Sequence, residues 1–252
     1  MHRQIHRRGN NEILTHDFAA MGMFSVMEGS MAGMAFINQE KRGSTMTDSK
    51  KVVEILMAIG DRIEEQKEYL TELDQPIGDS DHGINLARGF AAVKEKADSM
   101  EGQDIATVLK TAGMTLVSTV GGASGPLYGS AFMKGGMAMA GKTEMGLDDF
   151  LCVMDAAVEA VKQRGKAVEG EATMLDAMIP SLGAMRAARE AGKPAADVLA
   201  EGVKASWAGA EHTRDLVATK GRASYVGERG LGHQDPGATS YSYILEVIAG
   251  AV

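Results

Sequence analysis

The sequence predicts an all-α fold, an eight-helix up-and-down antiparallel barrel or bundle, and three observations carry that reading. Ala, Leu, Met, Glu and Lys dominate while Val, Ile, Tyr and Trp are modest, a mix that favours helix over strand. Apolar residues recur at helical spacing in eight successive segments. Short polar connections join those segments, which makes consecutive helices antiparallel neighbours. With 44% hydrophobic and 24% charged residues over 252 positions, the chain can bury a proper core and is neither disordered nor collagen-like in composition.

The first predicted helix runs from Thr47 to Leu73 through Val52, Val53, Leu56, Ile59, Ile63 and Leu70, with Thr47, Asp48 or Ser49 as its N-cap. The second spans Ile84 to Ser99 and carries Leu86, Phe90 and Val93 on one side. The third runs from Asp104 to Val120 and stops at Gly121-Gly122-Ala123-Ser124-Gly125-Pro126; the fourth resumes at Leu127 and reaches Ala140. The fifth covers Leu147 to Gln163, and a polar link from Arg164 to Thr173 leads to the sixth, Met174 to Ala191. Gly192-Lys193-Pro194 makes the next break, before a seventh helix from Ala195 to Val217. The eighth opens at Pro236, with proline in the first turn and Asp235 as cap. In an up-and-down arrangement the loops after the odd-numbered helices share one rim. Those four loops are also the four polar, Gly-rich ones.

The loop after the first helix, Leu73 to Asn85, sets Asp74, Asp79 and Asp81 beside His82 and two glycines. Three carboxylates this close repel one another unless a cation joins them, and a hard divalent ion with oxygen ligands is suited to that role. Mg²⁺ takes one or two carboxylates and completes its octahedron with water and phosphate, so three acids could serve two ions on a nucleotide. An EF-hand does not fit: counted from Asp79, its fifth position is Gly83 and its twelfth Phe90. The structural alternative is an acidic turn capping the next helix. His82 and Asn85 lie at that helix's N-terminus, where unpaired N–H groups and the helix dipole favour an anion.

The other rim loops add phosphate chemistry without deciding it alone. Gly121 to Pro126 lets backbone approach a ligand closely and supplies the Ser124 hydroxyl, but no Gly-Lys-Ser or Gly-Lys-Thr closes it as a P-loop. From Thr219 to Thr239 there is no clear period, and a long irregular stretch in a helical domain is more often a functional loop than a linker. Its Lys220, Arg222 and Arg229 are available to phosphate oxygens, arginine as a bidentate fork. Solvated surface charge is the competing explanation for Lys220 and Arg229, and a structural role for His233.

Net charge of -8 argues against nonspecific binding to nucleic acid or an anionic membrane. The single cysteine, Cys152, lies in the apolar run Phe150 to Met154 and reads as a buried, inert thiol; with no internal disulfide possible, a reducing cytoplasm is the expected compartment. Trp207 reads as an amphipathic core or surface aromatic. Residues 1–45 differ in character, with three of the six histidines, six of the 18 methionines and no sustained helical period. They read as a dispensable extension, disordered or the product of an upstream start, with 46–252 as the working domain.

Four stretches in this order, IGDSDHGINLARGF, TLVSTVGGASGPLYG, RGKAVEGEATMLDA and KGRASYVGERGLGHQDPGATS, closely resemble the nucleotide-binding L subunit of dihydroxyacetone kinase over Met46 to Val252. The resemblance implies an eight-helix barrel with an ADP–Mg complex at one end. It assigns Asp74, Asp79 and Asp81 to two Mg²⁺ ions, His82, Ile84 and Asn85 to the nucleotide, and Ala123 and Ser124 to the phosphates. Gly165 and Met174 fall around the base or ribose, Arg222 at the terminal phosphoryl as the catalytic residue, and Asp235, Pro236 and Gly237 close the site. At Gly170 to Met174 the chain reads GEATM where the family pattern is GDKTM, so Glu171 is longer and Ala172 lacks a cation. The resemblance further implies separate partners: a sugar-binding K-type subunit, and a histidine-phosphorylated M-type subunit that recharges resident ADP to ATP. The alternatives it leaves are a kinase subunit with exchangeable ATP and a nucleotide-reporting module for a transcriptional regulator.

Overall fold

A computed structural model describes residues 46–252, and the reading of residues 1–45 as an extension lies outside them. The described chain is helical, with one two-stranded bridge. Ten helices follow in order: α1 (Ser49–Glu65), α2 (Lys67–Asp74), α3 (His82–Lys94), α4 (Ala97–Met100), α5 (Ile105–Thr119), α6 (Ser124–Ala138), α7 (Leu147–Gly165), α8 (Leu175–Glu190), α9 (Ala195–His212) and α10 (Pro236–Gly250). The predicted eight become ten because the first breaks at Gln66 into α1 and α2, and the second ends at Lys94 before the short α4. The bridge, Thr47–Asp48 paired antiparallel with Glu144–Met145, has no counterpart in the sequence reading.

Capping chemistry sets several starts. Asp48 Oδ1 accepts from Lys51 N at 2.8 Å, Asp104 Oδ1 from Thr107 N at 2.7 Å, and Asp235 Oδ2 from Ala238 N at 2.6 Å. α6 begins at Ser124, earlier than predicted, because Pro126 sits in its first turn, where the missing N–H has no helical partner to lose.

Each helix packs chiefly on its chain neighbours, α1 with α3, α3 with α5, and then α5 through α10 in turn, while α10 returns to α1. The contacts therefore close a ring. α5 and α6 approach closely because Gly113 and Gly129 face each other: a Cβ on either would stand 2.7 Å from the other's carbonyl oxygen. Phe90, Ile59, Ile63, Leu70, Leu86 and Leu116 are fully buried, and Phe90 meets Phe132 edge to face at 6.3 Å. An apolar cavity of about 150 Å³ lies within the ring, bounded by Leu56, Phe132, Met154, Met178 and Leu245. Cys152 is exposed, contrary to the sequence expectation. On α7 the buried stripe is Leu151, Met154, Ala157, Val158 and Val161, and position 152 falls on the opposite face. Among the described residues no helix is long and apolar enough to cross a membrane.

Candidate active site

Asp74 ends α2 and is buried, and the chain folds back over it at once. Ile77 N and Gly78 N donate to its carbonyl at 3.2 and 2.6 Å, while its Oδ2 accepts from Asp81 N at 2.9 Å and His82 N at 3.2 Å. Asp74 thus caps the opening of α3 from the preceding helix. The return turn holds Ser80 at φ +60°, the left-handed region. The result brings carboxylate oxygens of Asp74, Asp79 and Asp81 within 4.8 Å of one another. Arg222, from the last long loop, meets Asp79 at 2.7 Å (Nε to Oδ2). One guanidinium against three acids leaves an oxygen-rich cluster whose donor set fits a hard divalent cation.

These residues open on a cleft of about 510 Å³ lined by all four rim loops. The N-termini of α3, α6, α8 and α10 begin in its wall, at His82, Ser124, Leu175 and Pro236. The positive ends of four helix dipoles therefore face one space, an electrostatic setting for a polyanion.

His82 is the hub between two of those helices. Its Nδ1 lies 3.1 Å from Ser124 Oγ and its Nε2 3.0 Å from Ser240 Oγ, which lies 2.7 Å from the Tyr128 hydroxyl. Burial lowers the imidazole to about 4, outweighing the opposing pull of Asp74, so His82 is neutral at pH 7. Asp235 moves the other way. Burial pushes its carboxyl up to about 7, against the Ala238 N–H bond and with added repulsion from Asp176 and Asp74.

The loop between α7 and α8 is pinned from within. Asp176 accepts from Gly170 N at 2.5 Å and Thr173 N at 2.7 Å, and Lys166 and Ala172 hold positive φ of 49° and 54°. Glu171 reaches across to the Arg222 loop: it accepts from Thr219 Oγ1 at 2.7 Å and lies 3.3 Å from Lys220 Nζ, while also taking Val168 N at 2.8 Å. These bonds, the Thr219 hydroxyl foremost, hold its carboxyl below the usual range.

Of the residues singled out from sequence, Asp74, Asp79, Asp81, His82, Asn85, Ala123, Ser124, Gly165, Met174, Arg222, Asp235, Pro236 and Gly237 all line this cleft. Ile84 does not; it is half exposed, on the side of α3 opposite Leu86, Phe90 and Val93. Arg229 and His233 also lie outside the lining, whereas Lys220 is in it. Tyr128 and Ser240, behind His82, escaped the sequence reading because 158 residues separate His82 from Ser240.

Comparison with known proteins agrees with this architecture. The DAK2 domain family matches residues 76–250. The PEP-dependent dihydroxyacetone kinase 2, ADP-binding subunit DhaL, of Listeria innocua is 44% identical over 203 residues, 80% of this chain and 94% of the relative. The corresponding ADP-binding subunit of Escherichia coli is 40% identical over 199 residues, 79% of this chain and 95% of the relative. Among solved structures, the dihydroxyacetone kinase of C. freundii in complex with AMP-PNP and Mg²⁺ superposes with a TM-score of 0.60 at 23% identity, covering 80% of this chain and 34% of that one. That likeness extends the all-helical fold to a domain of a larger kinase. By family match and by 40–44% identity over nearly the whole length of those two relatives, the chain belongs to the DAK2-domain family, alongside the ADP-binding subunits of dihydroxyacetone kinases.

Proposed function

We propose that residues 46–252 form the nucleotide-binding phosphotransfer subunit of a kinase for dihydroxyacetone or a related short ketose, with ADP and two Mg²⁺ ions as resident groups. The observation that carries this reading is the meeting of Arg222 with Asp79 at 2.7 Å inside a ring of four helix N-termini. A cluster of acids alone would bind a cation, and helix N-termini alone an anion; together they fit a metal–polyphosphate.

In this reading Asp74, Asp79 and Asp81 hold the metal, which neutralises phosphate charge when bound. Ser124 and the backbone of Gly121 to Ala123 cradle phosphate oxygens, and Met174 and Gly165 flank the base or ribose. Arg222 offsets charge on the moving phosphoryl group through a fork that lysine does not reproduce. With the three aspartates of the lining committed to metal, His82 bonded to two serines and Asp235 capping α10, the lining leaves no general base. The base and the sugar therefore come from a partner, a K-type subunit docking at the open rim, where Tyr225 is 84% exposed. An M-type phosphohistidine subunit recharges the nucleotide in place, which names phosphoenolpyruvate rather than free ATP as the ultimate donor and the cytoplasm as the compartment.

The test is mass spectrometry of nucleotide released from the purified chain before and after incubation with the phosphotransfer proteins and phosphoenolpyruvate. Conversion of retained ADP to ATP, discharged on adding a K-type subunit with dihydroxyacetone, is expected. Free exchange with labelled ATP from solution would overturn the resident-nucleotide reading.

A further inference from the structure

Asn85 is 7% exposed and lines the cleft beside the turn that opens α6, so close that a Cβ on Gly121 would stand 3.0 Å from either amide terminus. An amide side chain presents its oxygen on one side and its NH₂ on the other, and only a neighbour can fix which faces the ligand. Here the neighbour is Arg88, one turn further along α3. Its Nη2 donates to Asn85 Oδ1 at 2.6 Å and its Nε donates to the Thr119 carbonyl at 3.0 Å, at the last residue of α5. A guanidinium has donors only, so it selects the amide oxygen and excludes the NH₂ from its side. Asn85 Nδ2 has no hydrogen-bond partner among the described residues, yet no buried side-chain nitrogen or oxygen there is left unsatisfied. It is therefore open to solvent, and the opening is the cleft.

We infer that Arg88 is a positioning residue that locks the Asn85 amide with its NH₂ turned into the cleft, as a donor to an anionic oxygen at the α6 N-terminus. This inference rests on the nucleotide reading above and deepens it. A second consequence separates orientation from mere support. Removing Arg88 leaves the amide free to turn, which costs only about a factor of two in the population of the right orientation. Replacing it by an acceptor turns the amide over, so the Asn85 oxygen meets the anion and a charge-assisted hydrogen bond, worth about 10- to 100-fold in affinity, is lost.

The experiment is a double-mutant cycle on Mg·ADP binding by calorimetry with the full chain, using Arg88→Met, Arg88→Glu, Asn85→Ala and the pair Arg88→Glu with Asn85→Ala. The orientation lock predicts a loss of at most a few-fold for Arg88→Met and about 30-fold or more for Arg88→Glu. In the Asn85→Ala background, the Arg88→Glu loss should shrink to the part due to added negative charge. An equal loss in both backgrounds would overturn the inference. A second measurement needs no variant: in the ¹⁵N-labelled wild-type chain, an Asn85 NH₂ proton should move downfield on adding Mg·ADP and show scalar coupling to phosphorus. An Asn85 amide untouched by bound Mg·ADP would refute the orientation, whereas a wild-type chain that binds no Mg·ADP would refute the nucleotide reading itself.

Discussion

Gly78 is the point where the acidic cradle is most open to a controlled insult. A Cβ there would stand 1.9 Å from Asp74 Oδ1 and 2.7 Å from its Cγ, far inside contact distance. Gly78→Ala therefore forces the Asp74 carboxylate to swing away, because the turn behind it is held by two backbone bonds to the Asp74 carbonyl. Swinging it breaks the bonds from Asp81 N and His82 N. Each backbone bond to a carboxylate contributes about 1.5–3 kcal/mol, and the pair shares one oxygen, so the expected stability loss is about 2–4 kcal/mol. The same movement removes one of three candidate metal ligands, and Mg²⁺-dependent ADP affinity should fall at least about 30-fold, a loss of about 2 kcal/mol. Thermal melts and calorimetry at fixed Mg²⁺ read the two effects, with far-ultraviolet circular dichroism expected to stay near wild type. Gly102→Ala is the control, since Gly102 sits at φ +71° with open space around it and should cost about 1 kcal/mol without touching binding. Wild-type ADP affinity in Gly78→Ala would refute the claim that Asp74 is part of the metal cradle.

Asp79→Ala should abolish Mg²⁺-dependent nucleotide retention while leaving helical content nearly intact; equal retention by equilibrium dialysis would remove that residue from the site. Arg222→Lys keeps the charge but loses the fork against Asp79, and should lower phosphoryl transfer about 10²-fold or more with a smaller change in ADP affinity, measured by single-turnover kinetics with a K-type partner. For Asp235 the folded carboxyl lies near 7 against an ordinary 3.8, so it favours the folded state fully below pH 4 and loses that advantage as pH rises through 7. Asp235→Asn, which keeps an N-cap, should therefore raise metal-free stability by a few kcal/mol at pH 8 and by almost nothing at pH 4; pH-dependent melts check this. Glu171→Ala should loosen the Thr219–Arg222 segment, seen as faster amide exchange there with the core unchanged, because Thr219 and Lys220 both lose a carboxylate partner.

The helical class was legible because periodicity is a local property, and the caps Asp48 and Asp235 are local too. The break at Gln66 was not: its N–H still bonds to the Arg62 carbonyl, and no Gly or Pro announces the slip between α1 and α2. The acidic cluster could be read because its three carboxylates lie within eight positions of one another. The rim could be read because up-and-down topology sorts alternate loops to one end. Side-chain direction was the weak step. Ile84 and Cys152 each sit in a stretch that looked right by neighbourhood, and each falls on the exposed face of its helix. Pairings across the ring, such as Tyr128 with Ser240 and Glu171 with Thr219, depend on how helices are set against one another, which no single stretch encodes.

The most direct measurement is ADP binding by the purified chain, titrated calorimetrically with Mg²⁺ present and again in excess EDTA. Three carboxylates facing four helix N-termini predict one tightly held ADP per chain with Mg²⁺, weakened at least about 100-fold when the metal is removed. Binding of ADP with the same affinity in EDTA would contradict the account.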